Sequence, residues 1–202
     1  MAIKSSLSKQ QEKVGELFKW LPLHPNDITI LSVVFAAAGA WFVWQQSILG
    51  PILFLLSFAM DGLDGAIARA KNLSSAFGAY LDGTCDRLVE FFALLPFLFS
   101  PISGLFLPSL LTLFFGSVMT AFSKAYADHR EAVEHKKAAK LSTLMPRTER
   151  VIGIFVAMLL FLQGMNNLLI NLMWILAAGS ILSFLWLQYA VWRAGLTTGA
   201  KN

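Results

Sequence analysis

Hydrophobic residues in this chain come in long blocks from which charge is missing. No Asp, Glu, Lys or Arg occurs from Ile28 to Met60, from Phe91 to Ser123 or from Val151 to Trp192, runs of 33, 33 and 42 residues. One helix crosses a hydrocarbon core roughly 30 Å thick with about 20 apolar residues, so each run is too long for a single span. Each is broken near its middle by turn-forming residues: Gln45-Gln46-Ser47 with Gly50-Pro51, Ser100-Pro101-Ile102-Ser103-Gly104, and Gln163-Gly164-Met165-Asn166-Asn167. The pattern predicts six helices, near residues 28–45, 51–71, 76–98, 105–128, 150–163 and 168–192. The expected fold is an all-α integral membrane protein, one domain over residues 1–202, with a six-helix transmembrane bundle over 25–195.

Composition agrees. The chain is 56% hydrophobic and only 14% charged, where a soluble domain carries about 25% charged residues. A single cysteine, Cys85, excludes an intrachain disulfide framework. All 16 Lys and Arg lie outside the three apolar hairpin tips. By the positive-inside bias, both termini and the 2–3 and 4–5 connections are expected on the cytoplasmic side of the cell membrane. These cations bracket spans and form no stripe interleaved with base-stacking aromatics, so no nucleic-acid partner is expected. Residues 1–24 interleave Lys4, Lys9, Lys13 and Lys19 with Ile3, Leu7, Val14, Leu17, Phe18 and Trp20. That spacing predicts an amphipathic helix lying on the bilayer surface, not a cleavable signal peptide.

The segment between the first two charge-free runs is apolar enough to span, yet it holds Asp61, Asp64, Arg69, Lys71, Asp82, Asp86, Arg87 and Glu90. An ionised residue at a helix centre in lipid costs about 2.5–3.5 kcal/mol on insertion scales, so retained carboxylates need compensating partners. Asp61 and Asp64 are i and i+3 on the second helix, while Gly78, Asp82 and Asp86 recur every four residues on the third. The short connection near Asn72–Ser75 folds the two helices into a hairpin with both pairs near its cytoplasmic half. Gly62, Gly65, Ala68, Gly78 and Ala79 remove bulk around them. Carboxylates facing one another repel unless protonated or bridged by cations. An all-oxygen cluster selects hard ions, Mg²⁺ or Mn²⁺, and two such ions in one site point to phosphate-ester chemistry. Ion pairs that merely hold the bundle, and an intramembrane ion or proton carrier, use the same carboxylates. Neither of these accounts for the glycines and the adjoining Arg69.

The stretch Asp61-Gly-Leu-Asp64-Gly65-Ala-Ile-Ala68-Arg69, eight residues, then Gly78-Ala-Tyr-Leu-Asp82-Gly-Thr-Cys-Asp86 resembles the signature of the CDP-alcohol phosphotransferases, D-x2-D-G-x2-A-R-x8-G-x3-D-x3-D. All eight fixed positions are present over 26 residues. The resemblance implies that Asp61, Asp64 and Asp82 bind two divalent metals, that Asp86 lines the same site and acts as general base, and that Gly65, Ala68, Arg69 and Gly78 shape and contact the CDP moiety. It implies transfer of a lipid-linked phosphate from a CDP-lipid to an alcohol with release of CMP, by a homodimer. Pro25-Asn26-Asp27-Ile28-Thr29 resembles the short motif before the first helix of that family, whose polar residues, Asn26 and Thr29 here, help bind the nucleotide phosphates. Asn26 or Asp27 is equally a good N-cap for that helix.

A second group of cations bears on the acceptor. Lys124 lies near the end of the fourth helix, and Arg147 and Arg150 are i and i+3 at the start of the fifth, where backbone N–H groups also favour anions. This arrangement is similar to the inositol-phosphate branch of the family, which implies a phosphorylated polyol, inositol phosphate first, held by Lys124, Arg147 and Arg150, with Arg193 a further contact. Ala121-Phe122, Tyr126 and Pro146 depart from that branch's pattern, so glycerol 3-phosphate and other alcohols stay open as acceptors.

Overall fold

The structure is a computed structural model that describes residues 23–133, 141 and 143–199. The surface helix expected near the N-terminus, and the cations His135, Lys136, Lys137 and Lys140 of the 4–5 connection, lie outside the described residues.

Among the described residues the regular structure is entirely helical, in six long helices close to those the charge-free runs predict. They are α1 (Pro25–Trp44), α2 (Leu49–Ala70), α3 (Ala76–Leu98), α4 (Phe106–His129), α5 (Arg147–Leu162) and α6 (Asn166–Gly199). Four of them, α1, α2, α4 and the Asn166–Gly195 portion of α6, are long and apolar enough to cross a membrane. The other two fall short for identifiable reasons. Helix α3 carries Asp82, Asp86, Arg87 and Glu90, and α5 has 16 residues, about 24 Å at 1.5 Å per residue.

Four helices stop in the same way. Gln46, Asn72, Glu131 and Gly164 take left-handed φ angles of 56°, 56°, 53° and 68°. At each, two main-chain bonds close the end, such as Leu73 N–H to Ala68 O at 2.8 Å and Asn72 N–H to Arg69 O at 3.2 Å. This is the Schellman pattern, which satisfies terminal carbonyls without a side chain.

The chain divides into two compact units, residues up to Ala93 and from Leu94 onward. In the first, α1 buries Ser32, Ala36, Gly39, Ala40 and Val43 at helical spacing and lays this stripe on α2. A Cβ on Gly50 would stand 2.5 Å from Val43 N and 2.9 Å from Gly39 O, so only glycine lets the two backbones meet. Two hydroxyls bridge the same seam: Ser57 Oγ donates to Ser32 O at 2.7 Å, and Thr29 Oγ1 donates to Asp64 Oδ2. Small residues and interhelical hydrogen bonds are what hold helices together where lipid removes the hydrophobic drive between them. The outer face of α1 presents Ile30, Val34 and Trp41, each more than half exposed.

In the second unit, α6 packs along both α4 and α5. Its core includes Leu105, Ile154, Met158, Leu169 and Met173, all fully buried, and an edge-to-face pair of Phe97 and Phe161 at 5.8 Å. Within α4, Thr112–Met119 is π-helical, and the Thr120 hydroxyl donates to the Phe115 carbonyl, five residues back, at 2.6 Å.

Candidate active site

The aspartates come together because of how α2 stops and α3 starts. Asn72 ends α2 in a left-handed turn, and Ser75 Oγ accepts from Gly78 N–H at 3.0 Å, the N-cap bond that starts a helix. The four residues between Lys71 and Ala76 thus turn the chain so that the α2 aspartates meet those of α3. Asp61, Asp82 and Asp86 each offer one carboxylate oxygen, and these oxygens lie within 4.8 Å of one another. All three residues are half-buried.

Asp64 is handled differently. It is 4% exposed, and both its oxygens accept hydrogen bonds, Oδ2 from Thr29 Oγ1 and Oδ1 from Gly65 N–H at 2.5 Å. The sequence predicts four facing carboxylates; the structure groups three and sets the fourth beside them, held by a helix α1 hydroxyl. Thr29, expected at the nucleotide, spends its hydroxyl on Asp64.

A cleft of about 190 Å³ opens next to this group. Its lining includes all six residues expected at the CDP moiety: Asn26, Thr29, Gly65, Ala68, Arg69 and Gly78. Asp64 and Asp82 contribute to the same wall, so the cleft and the carboxylates share a boundary. The start of α1 shows which groups cap it. His24 is the N-cap, its side chain accepting from Asn26 N–H at 3.2 Å, and the Asp27 carboxylate accepts from His24 N–H at 3.1 Å. Asn26 is thereby left to face α3, where a Cβ on Gly78 would stand 3.4 Å from its Oδ1. Lys71 Nζ ties down the segment ahead of α1 through Leu23 O at 3.0 Å. Gly62, by contrast, has nothing within 4 Å of an added Cβ, so the tight approach predicted there falls on Gly78.

Two charges that the sequence flags without giving them a role lie directly behind the cluster. Glu90 is fully buried, and Arg87 Nη1 stands 3.4 Å from Asp86 Oδ2 and 3.9 Å from Glu90 Oε1. The signal was available, since Glu90 continues the four-residue stripe of Gly78, Asp82 and Asp86. Ser75, also missed as a cleft residue, was readable as the serine three positions ahead of Gly78.

The second group of predicted residues belongs to the second unit. Arg150 is 4% exposed in the first turn of α5. Arg147 and Lys124 are half-buried, and Arg193 is exposed on α6.

The donor set decides what the cluster can hold. Three aspartate oxygens on two helices, with no histidine in the group, make a hard, anionic site suited to Mg²⁺ or Mn²⁺. Residues so arranged fit divalent metal binding.

Residues 22–188 match the family model described as CDP-alcohol phosphatidyltransferase. The archaetidylinositol phosphate synthase of Pyrococcus horikoshii is 31% identical over 166 residues, 78% of this chain and 80% of that protein. A bifunctional IPC transferase and DIPP synthase of Aquifex aeolicus is 38% identical over 101 residues, 49% of this chain and only 23% of the longer relative. Among solved structures, the phosphatidylinositol phosphate synthase of Mycobacterium tuberculosis with CDP-DAG bound superposes with a TM-score of 0.71 at 24% identity, over 90% of this chain and 93% of that one. A structure of the same synthase in complex with manganese and citrate gives a TM-score of 0.73, covering 90% and 88%. At that identity the likeness speaks for a shared fold.

Proposed function

The chain belongs to the CDP-alcohol phosphatidyltransferase family, a family of transferases of substituted phosphate groups, and from that premise we propose that it moves a phosphatidyl-type group from a CDP-lipid to inositol phosphate, releasing CMP. The observation that carries this reading is the cleft in which all six expected nucleotide contacts share a wall with Asp64 and Asp82. The acceptor is supported by the names of two relatives, the Pyrococcus synthase and a phosphatidylinositol phosphate synthase of Mycobacterium bovis, 37% identical over 70 residues, 34% of this chain and 32% of that protein. Glycerol 3-phosphate is the competing acceptor.

In this reading the protein is a homodimer of one membrane domain with six spans. Its basic N-terminal helix lies on the cytoplasmic surface, where both termini and the active site also sit. Helices α3 and α5 cross with the four more apolar ones because their charges and short length are covered by neighbours, not by lipid. Asp61, Asp64, Asp82 and Asp86 would hold two Mg²⁺ or Mn²⁺ ions, which neutralise phosphate oxygens and the leaving group when bound. The Thr29 and Gly65 donors fix Asp64 in one pose, so that carboxylate need not reorganise during the reaction. Asn26, Gly65, Ala68, Arg69 and Gly78 receive the CDP group, the glycines letting it approach the backbone and Arg69 meeting its charge. Lys124, Arg147, Arg150 and Arg193 hold the acceptor's phosphate. Asp86 takes the proton of the attacking hydroxyl as its oxygen bonds to the lipid-linked phosphorus and the bond from that phosphorus to CMP breaks. Charge is conserved, the proton staying on Asp86 until solvent removes it.

CMP release by the purified protein with CDP-lipid and a panel of acceptors tests this. Turnover should need a divalent cation, stop with a chelator, resume when Mg²⁺ or Mn²⁺ is returned, and collapse in Asp82→Asn. No CMP above the mutant's background with any acceptor would overturn the reading. Turnover with glycerol 3-phosphate but not inositol phosphate would overturn only the acceptor.

A further inference from the structure

In the second unit one point is approached by three helices and filled by none. A Cβ on Gly116 of α4 would stand 2.9 Å from Arg150 Cδ and 3.1 Å from Arg150 Nε on α5, and 2.6 Å from Ser180 Oγ on α6. Arg150 is 4% exposed, so the stem of a permanently charged side chain is embedded here. Ser180 and Ser117, 0% and 1% exposed, each keep a hydroxyl oxygen that makes no hydrogen bond. Buried hydroxyls are ordinarily partnered and cost stability when they are not. Packing alone would favour alanine at both positions. Gly116 also lies in the π-helical stretch of α4, a widened turn of the kind that recurs at functional sites, and that stretch buries Thr112, Gly116 and Ser117 together.

We infer that Gly116 is a positioning residue for acceptor recognition: the slot it leaves, walled on the far side by Ser180, sets where the Arg150 guanidinium is held. The inference rests on the reading that Arg150 binds the acceptor's phosphate. Carbon atoms in contact sit about 3.5–4.0 Å apart, so a methyl group at Gly116 must push the Arg150 stem away by roughly 0.6–1 Å. A fork that grips phosphate through two parallel hydrogen bonds tolerates little such movement.

The test is steady-state CMP release by the full chain in detergent, varying inositol phosphate at saturating CDP-lipid and then the reverse. Gly116→Ala should raise KM for inositol phosphate about tenfold while kcat and KM for CDP-lipid stay within about twofold. Ser180→Val, which encroaches on the slot from the opposite helix, should give the same split, and it decides the matter if Gly116→Ala does not accumulate. Arg150→Ala supplies the reference. If it raises the acceptor KM and neither slot variant does, positioning by the slot is refuted while the acceptor reading stands. If Arg150→Ala itself leaves that KM unchanged, the acceptor reading falls and takes the inference with it. Equal losses for both substrates in the slot variants would mark a merely structural glycine and also refute the inference.

Discussion

Replacing Thr29 with valine isolates the bond on which Asp64 depends. Valine keeps the branched shape and removes only the hydroxyl, leaving Gly65 N–H as the one hydrogen-bond partner among the described residues for a carboxylate that is 4% exposed. A hydrogen bond to a charged group contributes about 1.5–3 kcal/mol, and each 1.4 kcal/mol is about a factor of ten. If Asp64 must hold its pose to assist turnover, Thr29→Val should therefore lower CMP release by roughly 10- to 100-fold. The assay is initial-rate CMP release titrated with Mg²⁺ and, separately, with CDP-lipid. The half-activating Mg²⁺ concentration should rise, KM for CDP-lipid should hold, and Thr29→Ser should recover most of the rate. A raised KM for CDP-lipid with unchanged Mg²⁺ activation would mean that Thr29 meets the nucleotide, as the sequence alone suggests. An unchanged rate would refute the positioning argument altogether.

Other perturbations follow from the same geometry. Gly50→Ala would drive a methyl group against the backbone of Val43 and Gly39, and overpacking of that kind costs about 1–3 kcal/mol. A lowered thermal midpoint in detergent is expected, with Gly62→Ala, which meets open space, as the silent comparison. Arg87→Met takes from the fully buried Glu90 the guanidinium that stands 3.9 Å from its Oε1. Breaking a buried ion pair from one side costs about 3–5 kcal/mol, and because the Arg87 side chain is 32% exposed the loss should fall below that range. Arg87→Lys should keep more activity and stability than Arg87→Met; equal losses would show that charge at this position is irrelevant.

The helices were legible because lipid imposes one rule on long segments, the removal of charge, and turn residues mark where each run folds back. The six predicted segments and the observed helices differ by a few residues at most ends. Helix α6, which runs on to Gly199, is the exception, its last turns, about two, carried past the charged residue that bounded the run. Gly65, Ala68, Arg69 and Gly78 of the cleft were legible because the signature that carries the family resemblance falls in one hairpin, where spacing along the chain translates into position, whereas Asn26 and Thr29 come from α1. What stayed hidden depends on partners distant in sequence. Nothing in Pro25-Asn26-Asp27-Ile28-Thr29 says that His24 would take the capping role, or that Thr29 would turn to a carboxylate 35 positions away. The π-helical stretch of α4 has no signature in Thr112–Met119; it accompanies the convergence of Arg150 and Ser180 on Gly116, and those two residues lie on other helices.

The shared way in which helices end bears on how such a chain assembles. At Gln46, Asn72 and Gly164 each closing bond spans no more than six residues, and the next helix begins within four residues of it. Closing so short a loop sacrifices little chain entropy, and contacts this local form early and fast. Each of these elbows can set as soon as its own residues leave the ribosome, before any distant helix exists to guide it. A growing chain built this way enters the bilayer as ready-bent pairs. The slow part of its folding is then docking beyond these pairs, as where Gly116 of α4 makes its close contacts with Arg150 and Ser180 of the α5–α6 pair.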